Sequence, residues 1–337
     1  MNKLLVWLMA AALCGPLFFL LPAQGQDDFQ RPVKLVLIRY NEAADADSGE
    51  LAIKAGLIKA GMEEGADYEM KVTSAQNDLP TLVSIVDAAV ADDVDILVPL
   101  QSVTLQPTVE RAKDKPVVFH LVSDPILLNV AKSDEVHLPN VTGAYIKTQP
   151  AEFEMLLGDV KQLIYGAKNI ACLYVEGEII SRSQKALLEK TARKMGMNLK
   201  AVPVNTISDL STAIQAALSP KPDAIVMIEG SIPNGAFGAV TAAAQRAKVP
   251  IFGFTSYQVN NGAVLCIVPD VGKGGEAVGE MIKKIVSGTS PKDIPLYRMP
   301  SGLKLINTQA AQRIGLEMDG GSIPNSIDVS SAGIGLD

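Results

Sequence analysis

Short apolar runs alternate with helical stretches along most of this 337-residue chain, and the series occurs twice. One series extends from "VKLVLIRY" at Val33 to "KPVVFHLVSD" at Asp124, and the other from "NIACLYVEGE" at Asn169 to "VPIFGFTS" at Ser256. Strands that alternate with helices form parallel sheets through right-handed crossovers. The sequence therefore predicts an α/β protein with two doubly wound parallel-sheet lobes.

The remaining segments predict how the lobes are joined. A linker, "NVTGAYIKTQP", leaves the first series, and two further strand and helix pairs follow the second, so the backbone is expected to cross three times and form a three-segment hinge. The crossings are placed near Gly143, Val268 and Arg298. One lobe comprises 32–144 and 268–296, and the other comprises 145–267 and 297–318. The Gly- and Ser-rich tail, 319–337, lacks an apolar period and is expected to be disordered.

The N-terminal segment, 1–25, has the features of an export signal. Lys3 precedes a long apolar stretch, and residues 23–25 place small residues where signal peptidase requires them. We expect cleavage of this signal peptide and a periplasmic mature protein. An uncleaved membrane anchor is the alternative, although Gly15 and Pro16 interrupt the apolar run.

Composition narrows the classes of partner. The net charge is −7 and no block of Lys and Arg is present, so no nucleic-acid partner is expected. His120 and His137 have no cysteine or histidine at metal-ligand spacing, and we expect neither a metal nor another cofactor. Cys172 and Cys266 lie in apolar runs and are expected to be free buried thiols, with one disulfide as the alternative.

Polar or small residues follow the strands in both series. The carboxyl ends of parallel strands share one edge of a sheet, and two such edges that face each other form a ligand-binding cleft. Asp124 has a simpler alternative, because an aspartate before Pro125 also caps a helix or opens a turn. The strand-end candidates are Tyr40, Asn41, Gln101, Ser102, Ser123, Asp124, 176–178, 229–231, Thr255 and Ser256.

The stretch "LQSVTLQP" suggests an anion site. Ser102, Val103 and Thr104 begin a helix, where unpaired backbone N–H groups and the helix dipole attract a carboxylate. An ordinary serine cap is the alternative.

Two patterns that suggest chemistry are weak. "GKGGEA", residues 272–277, fits a dinucleotide fingerprint but lacks the acidic residue that closes the second strand, so it predicts a helix start. Glu176 and Glu178 could form the acid/base pair of a hydrolase, but neighbouring acidic residues at a strand end more often face solvent or ligand. We expect no enzymatic activity.

The order of several segments resembles the ABC transporter substrate-binding family whose better-known members bind tryptophan and related aromatic amino acids. These segments include "VDILVPLQSVTLQ", "KPVVFHLVSDPI", "NVTGAY", "PDAIVMIEGS" and "VPIFGFTSYQVNNGAVLCIVPD". The resemblance implies a periplasmic-binding-protein fold of the first type and extends over about 33–318. It also implies ligand roles, in this numbering, for Gln101, Ser102, Ser123, Asp124 and Asp270. In the second lobe the chain departs from the family pattern, keeping Glu178 and Ser181 in the loop after the first strand and having Ser231 in the segment 230–232, and these three are also candidate ligand residues.

These observations predict an exported, monomeric solute-binding protein that closes its lobes around a small polar ligand and delivers it to an ABC transporter permease. An amino acid or a related compound is the expected ligand, with its carboxylate at the helix start after Gln101 and its ammonium near Asp124 or Asp270. A periplasmic sensor that presents its ligand to a signalling receptor is the alternative, and a hydrolase is a more distant one.

Overall fold

The computed structural model describes residues 31–42 and 44–330. The predicted signal peptide lies outside the described residues. These described residues form one unit that contains two α/β lobes.

The first lobe begins with three strand–helix pairs, which two further strands follow. Its elements are β1 (Val33–Arg39), α1 (Ala44–Lys59), β2 (Tyr68–Ser74), α2 (Leu79–Ala91), β3 (Ile96–Pro99), α3 (Ser102–Arg111), β4 (Val117–Ser123) and β5 (Val141–Ile146). The second lobe continues with α4 (Pro150–Leu163), β6 (Asn169–Tyr174), α5 (Ile179–Lys194), β7 (Asn198–Pro203), α6 (Leu210–Ala217), β8 (Ala224–Val226), α7 (Ser231–Gly235), α8 (Phe237–Ala247), β9 (Ile251–Gly253), α9 (Ser256–Asn260) and β10 (Leu265–Pro269). The C-terminal elements are α10 (Val271–Val286), β11 (Tyr297–Arg298), β12 (Ser301–Ile306), α11 (Thr308–Ile314) and β13 (Ser326–Asp328).

Each lobe is built on one twisted sheet with helices on both faces. The first sheet has the order β2-β1-β3-β4-β5-β11 and is parallel throughout. The second has the order β7-β6-β8-β9-β10-β12-β13, and only the β10–β12 pair is antiparallel. The central strands are buried on both faces because the helices cover them, as their uninterrupted apolar sequences predict. The predicted fold class is confirmed.

The backbone passes between the sheets after Ile146, after Pro269 and after Arg298. The first crossing therefore lies three residues beyond Gly143, where the sequence placed it. Gly143 is instead a residue of β5, with φ of 154°, and a Cβ there would lie 2.3 Å from the carbonyl oxygen of Phe119. This glycine allows β5 to approach β4 closely. Its role is therefore in strand packing and not in a hinge.

The expected lobe boundaries shift accordingly. Residues 145–146 and 297–298, which were assigned to the second lobe, pair in the first sheet. Val268 and Pro269, which were assigned to the first lobe, pair with β12 in the second sheet. Strand ends decide these limits, and strand ends are weakly marked in sequence because the apolar pattern fades gradually.

Residues 319–330 are not the disordered tail that the sequence predicted. Strand β13 pairs in parallel with β12, with Lys304 opposite Ser326. Ile323 is buried, and the Asp328 carboxylate accepts a 2.6 Å hydrogen bond from the Thr308 hydroxyl. A three-residue edge strand has no period to detect, so its order depends on contacts with β12 and Thr308, which are about 20 positions away in sequence. Residues 331–337 lie outside the described part of the chain.

Cys172 and Cys266 are free and buried, as expected. They lie on β6 and β10, which are separated by β8 and β9, so three strand spacings of about 4.8 Å keep them roughly 14 Å apart. Disulfides require Cα atoms within about 7 Å, and a bond between these two thiols would break the sheet.

None of the helices in the described part of the chain combines the length and the apolar character needed to cross a membrane.

Candidate functional site

The two lobes touch where strands of the two sheets end. The Ser123 hydroxyl, at the end of β4, donates a 2.6 Å hydrogen bond to a carboxylate oxygen of Glu229, three residues after β8. Helix α9 of the second lobe also contacts α1 of the first. The carboxyl ends of the strands therefore meet across a closed cleft, which is where open α/β sheets place their ligands.

Glu229 is the central charged group at this contact. Its other carboxylate oxygen accepts a 3.1 Å hydrogen bond from the Gln184 side chain, whose own oxygen accepts the Glu229 backbone N–H at 2.8 Å. The residue as a whole is half-buried. Desolvation, together with the nearby charge of Glu178, raises the pKa of Glu229, while the hydrogen bonds from Ser123 and Gln184 oppose that shift.

Glu178 supplies a second carboxylate on the same lobe. It accepts hydrogen bonds from the Ser231 backbone N–H, at 3.1 and 3.2 Å, and from the Ser231 hydroxyl. Within the described ranges, no basic side chain forms an ion pair with Glu178 or Glu229. The cleft face of the second lobe thus carries negative charge that protein cations do not neutralise, which suits a positively charged group on a ligand.

The start of α3 faces this charge from the first lobe. Gln101 precedes the helix with φ of 75°, and its N–H donates to the His120 carbonyl at 2.9 Å. The Ser102 hydroxyl accepts the Ser123 N–H at 2.9 Å, which places the helix start beside the lobe contact. The first N–H groups of a helix have no partner within it, so a carboxylate is favoured here.

The side chains of Thr104 and Val103 face the interior of the first lobe. Thr104 is buried, and its hydroxyl donates to the carbonyls of Leu100 and Gln101 at 2.7 and 2.9 Å. Val103 packs on the core of the first lobe. Their predicted ligand roles therefore rest on backbone N–H groups, since both side chains point away from the cleft.

Unusual backbone conformations gather at the same edge of the first sheet. Eight described non-glycine residues have positive φ, and five of them follow or interrupt β2, β3 or β4: Gln76, Asn77, Gln101, Leu121 and Asp124. Such conformations are costly unless the surrounding structure enforces them, and they concentrate at binding sites.

Tyr40 and Asn41 close the end of β1. The Tyr40 hydroxyl donates to the Asn77 carbonyl at 2.8 Å, and the Asn77 N–H donates to the Tyr40 carbonyl at 2.8 Å. The Asn41 carbonyl accepts from the Arg39 side chain at 3.2 Å. These contacts secure the β1 and β2 ends, and their ligand roles stay predictions.

Asp124 and Asp270 are already engaged with the protein. Asp124 lies 3.1 Å from the Lys147 ammonium and accepts the N–H groups of Ile126 and Leu127 at 3.2 and 3.3 Å. Asp270 caps α10 through the Lys273 N–H at 2.9 Å. This geometry favours the turn and cap alternatives over contact with a ligand ammonium.

Ser181 has a similar internal role. It is fully buried, and its hydroxyl accepts the Val175 N–H at 2.9 Å. It fixes the turn between β6 and α5, just as Ser102 fixes the end of β4 in the first lobe.

Glu229 and Gln184 are the site residues that the sequence did not single out. Glu229 was one of the polar residues after a strand, but nothing distinguished it from its neighbours. Gln184 lies within α5 and carries no sequence signal at all. The contact with Ser123 spans 106 positions of the chain, so only the folded structure reveals it.

This fold and cleft define a two-lobed ligand-binding protein, and comparison with known families supplies its family. The family of ABC transporter substrate binding proteins matches residues 42–323, and the chain belongs to that family.

Relatives and solved structures agree with this assignment. A tyrosine-binding protein of Clostridioides difficile is 27% identical over 268 residues, which is 78% of this chain and 76% of that protein. An ABC domain from Streptococcus pneumonia in complex with L-Trp superposes with a TM-score of 0.80 at 22% identity, over 88% of this chain and 99% of that one. The ligand-free, open structure of a Clostridium difficile substrate binding protein with adhesive properties gives 0.70 at 25% identity, over 88% and 98%.

Proposed function

We propose that this protein captures an amino acid in the cleft and delivers it to an ABC importer. The observation that carries the proposal is the Glu229 carboxylate, which has no cationic partner among the described residues and lies across the Ser123 contact from the start of α3. An amino acid has the matching charges, with its ammonium directed to Glu229 and its carboxylate to the N–H groups of residues 102–104. The ammonium partner thereby differs from Asp124 and Asp270, the residues that the sequence indicated.

The relatives support an aromatic amino acid as the first ligand to examine. One is named for tyrosine, and a structure of the same fold was solved with L-Trp. We further propose that 1–25 are removed on export, that the mature protein works as a periplasmic monomer, and that its physiological partner is a permease rather than a substrate to be turned over.

Calorimetric titration with L-tyrosine and L-tryptophan tests the ligand class. The wild type is expected to bind at least one of them. Glu229→Gln preserves the size of the side chain and removes its charge, and we expect affinity to fall by about 30-fold or more because the ammonium would be left buried without a counter-charge.

Glu154→Gln is the matched control, since Glu154 is an exposed glutamate of the same lobe that pairs with Lys194. It is expected to bind as the wild type does. Equal affinities for the wild type and Glu229→Gln would exclude the ammonium contact. A natural ligand without an ammonium, identified by native mass spectrometry of the purified protein, would exclude the amino acid.

A further inference from the structure

An ion pair joins the two lobes at the hinge. Arg298 ends β11 in the first lobe, immediately before the third crossing, and Glu152 lies in the first turn of α4 in the second lobe, just after the first crossing. Their Nη2 and Oε1 atoms are 3.1 Å apart, and the Glu152 side chain is only 8% exposed. From this position we infer that Glu152 and Arg298 hold the lobes in the closed arrangement before a ligand arrives.

Both members of the pair also contact backbone groups of the first crossing. The second oxygen of Glu152 accepts the Gln149 N–H at 2.7 Å, within the first crossing. Arg298 also lies 3.5 Å from the Lys147 carbonyl, and the Lys147 ammonium pairs with Asp124. Because Glu152 and Arg298 belong to different lobes, their ion pair is a direct contact between the lobes.

The arrangement in which the pair forms is the closed one. Ser123 reaches Glu229 across the cleft, and α1 contacts α9. The superposition is also better on the ligand-bound relative than on the open, ligand-free one. An ion pair with one buried carboxylate contributes more free energy than a fully exposed pair does. Because this pair joins the two lobes, we expect its loss to shift the equilibrium toward open lobes. Glu152 and Arg298 are therefore positioning residues that affect binding without touching the ligand.

Small-angle scattering of the ligand-free protein tests this inference directly. Glu152→Gln keeps an oxygen for the Gln149 N–H and removes only the charge, and Arg298→Gln removes the other partner. We expect each variant to have a larger radius of gyration than the wild type, and the double variant to expand no further, because both changes break the same interaction. Glu154→Gln is the matched control, since it breaks an ion pair made by the same helix within one lobe.

Ligand kinetics give a second readout. If closed lobes are destabilised, L-tyrosine is expected to dissociate about two- to tenfold faster from Glu152→Gln, with no slowing of association. This part rests on the proposed function, and a wild type that binds neither L-tyrosine nor L-tryptophan would contradict that function alone. The ligand-free scattering would still decide the hinge inference.

One scattering result would overturn the inference: ligand-free Glu152→Gln with the same curve as the wild type and Glu154→Gln. Circular dichroism establishes that each variant is folded. If Glu152→Gln fails to fold, Arg298→Gln and Arg298→Lys replace it, with Arg298→Lys expected to lie between the wild type and Arg298→Gln because it retains the charge on a different geometry. Identical curves for those two variants and the wild type would overturn the inference equally.

Discussion

Four carboxylates near the cleft differ in what surrounds them. Asp124 and Asp270 accept N–H groups from the turn or helix that follows each of them, and Asp124 also faces Lys147. In the part of the chain that the structure describes, Glu178 and Glu229 accept hydrogen bonds only from neutral groups. An ionised carboxylate with neutral partners has no counter-charge, so we expect the cationic group of the proposed ligand to be attracted to the second lobe.

His120 is the least satisfied polar side chain of the first lobe. It is fully buried on β4, and neither ring nitrogen has a hydrogen-bond partner in the described part of the protein. Burial lowers the pKa of His120 to about 3. Because the folded pKa lies below the unfolded value, the unfolded chain binds more protons between about pH 3 and 6.5, and stability falls as the pH is lowered through that window.

We expect this histidine to make the protein acid-sensitive. At pH 5 the difference in proton binding corresponds to about 2 kcal/mol of lost stability relative to neutral pH. His120→Leu has similar volume and no group to protonate, so its free energy of unfolding is expected to lose that much less on acidification. Urea unfolding at pH 7 and pH 5 measures the difference. Equal losses in the wild type and the variant would contradict the lowered pKa of His120.

Sequence reasoning at the residue scale worked where contacts are local. The turn at Asp124 and the cap at Asp270 involve partners two or three residues away, and the Asp124 alternative was open from the sequence. The partners of Glu229 lie 106 and 45 positions away in sequence. No local pattern predicts contacts between residues that are so far apart. The polar strand ends could therefore be predicted as a group, whereas the members that face the cleft could not.

At the scale of elements, glycines bring two helices together. A Cβ on Gly275 of α10 would lie 2.1 Å from the Ala52 carbonyl oxygen of α1, and one on Gly279 would lie 2.3 Å from the Gly56 carbonyl oxygen. The helix backbones are therefore in direct contact. Gly275 of "GKGGEA" belongs to this packing. The segment lies in the first turns of α10, which confirms the predicted helix start.

Substitution of one such glycine is expected to separate the helices. Gly275→Ala adds a methyl group where backbone stands, and we expect a loss of about 1–3 kcal/mol in the free energy of unfolding. Gly158→Ala in α4 is the matched control, because no described atom outside its own helix lies within 4 Å of the added carbon. That variant is expected to gain up to about 1 kcal/mol from helix propensity. Chemical denaturation compares them, and a stable Gly275→Ala would contradict the close packing.

The alternation of strands and helices was sufficient to predict the sheets, because central strands and their covering helices have long, regular apolar patterns. Strands β11 and β13 escaped prediction, since two or three residues at a sheet edge show no pattern. The hinge limits moved for the same reason. What a single sequence specifies poorly is where the chain leaves a sheet, and those positions fix how one lobe lies against the other.

At the scale of the whole molecule, a ligand held by both lobes stabilises the protein as one unit. At 100 times its dissociation constant, a ligand that binds only the folded state adds about 2.7 kcal/mol. With an unfolding entropy of about 2.1 cal/mol/K per residue over roughly 300 residues, this corresponds to an increase of about 4 °C in Tm.

We expect that increase for the wild type with L-tyrosine in differential scanning calorimetry, in a single transition that moves without splitting. For Glu229→Gln, a 30-fold weaker affinity leaves the same L-tyrosine concentration at about three times the dissociation constant, so we expect an increase of about 1.4 °C or less. A transition that divides, with only one part shifted by L-tyrosine, would instead mean that the ligand contacts a single lobe, and the cleft would no longer be its binding site.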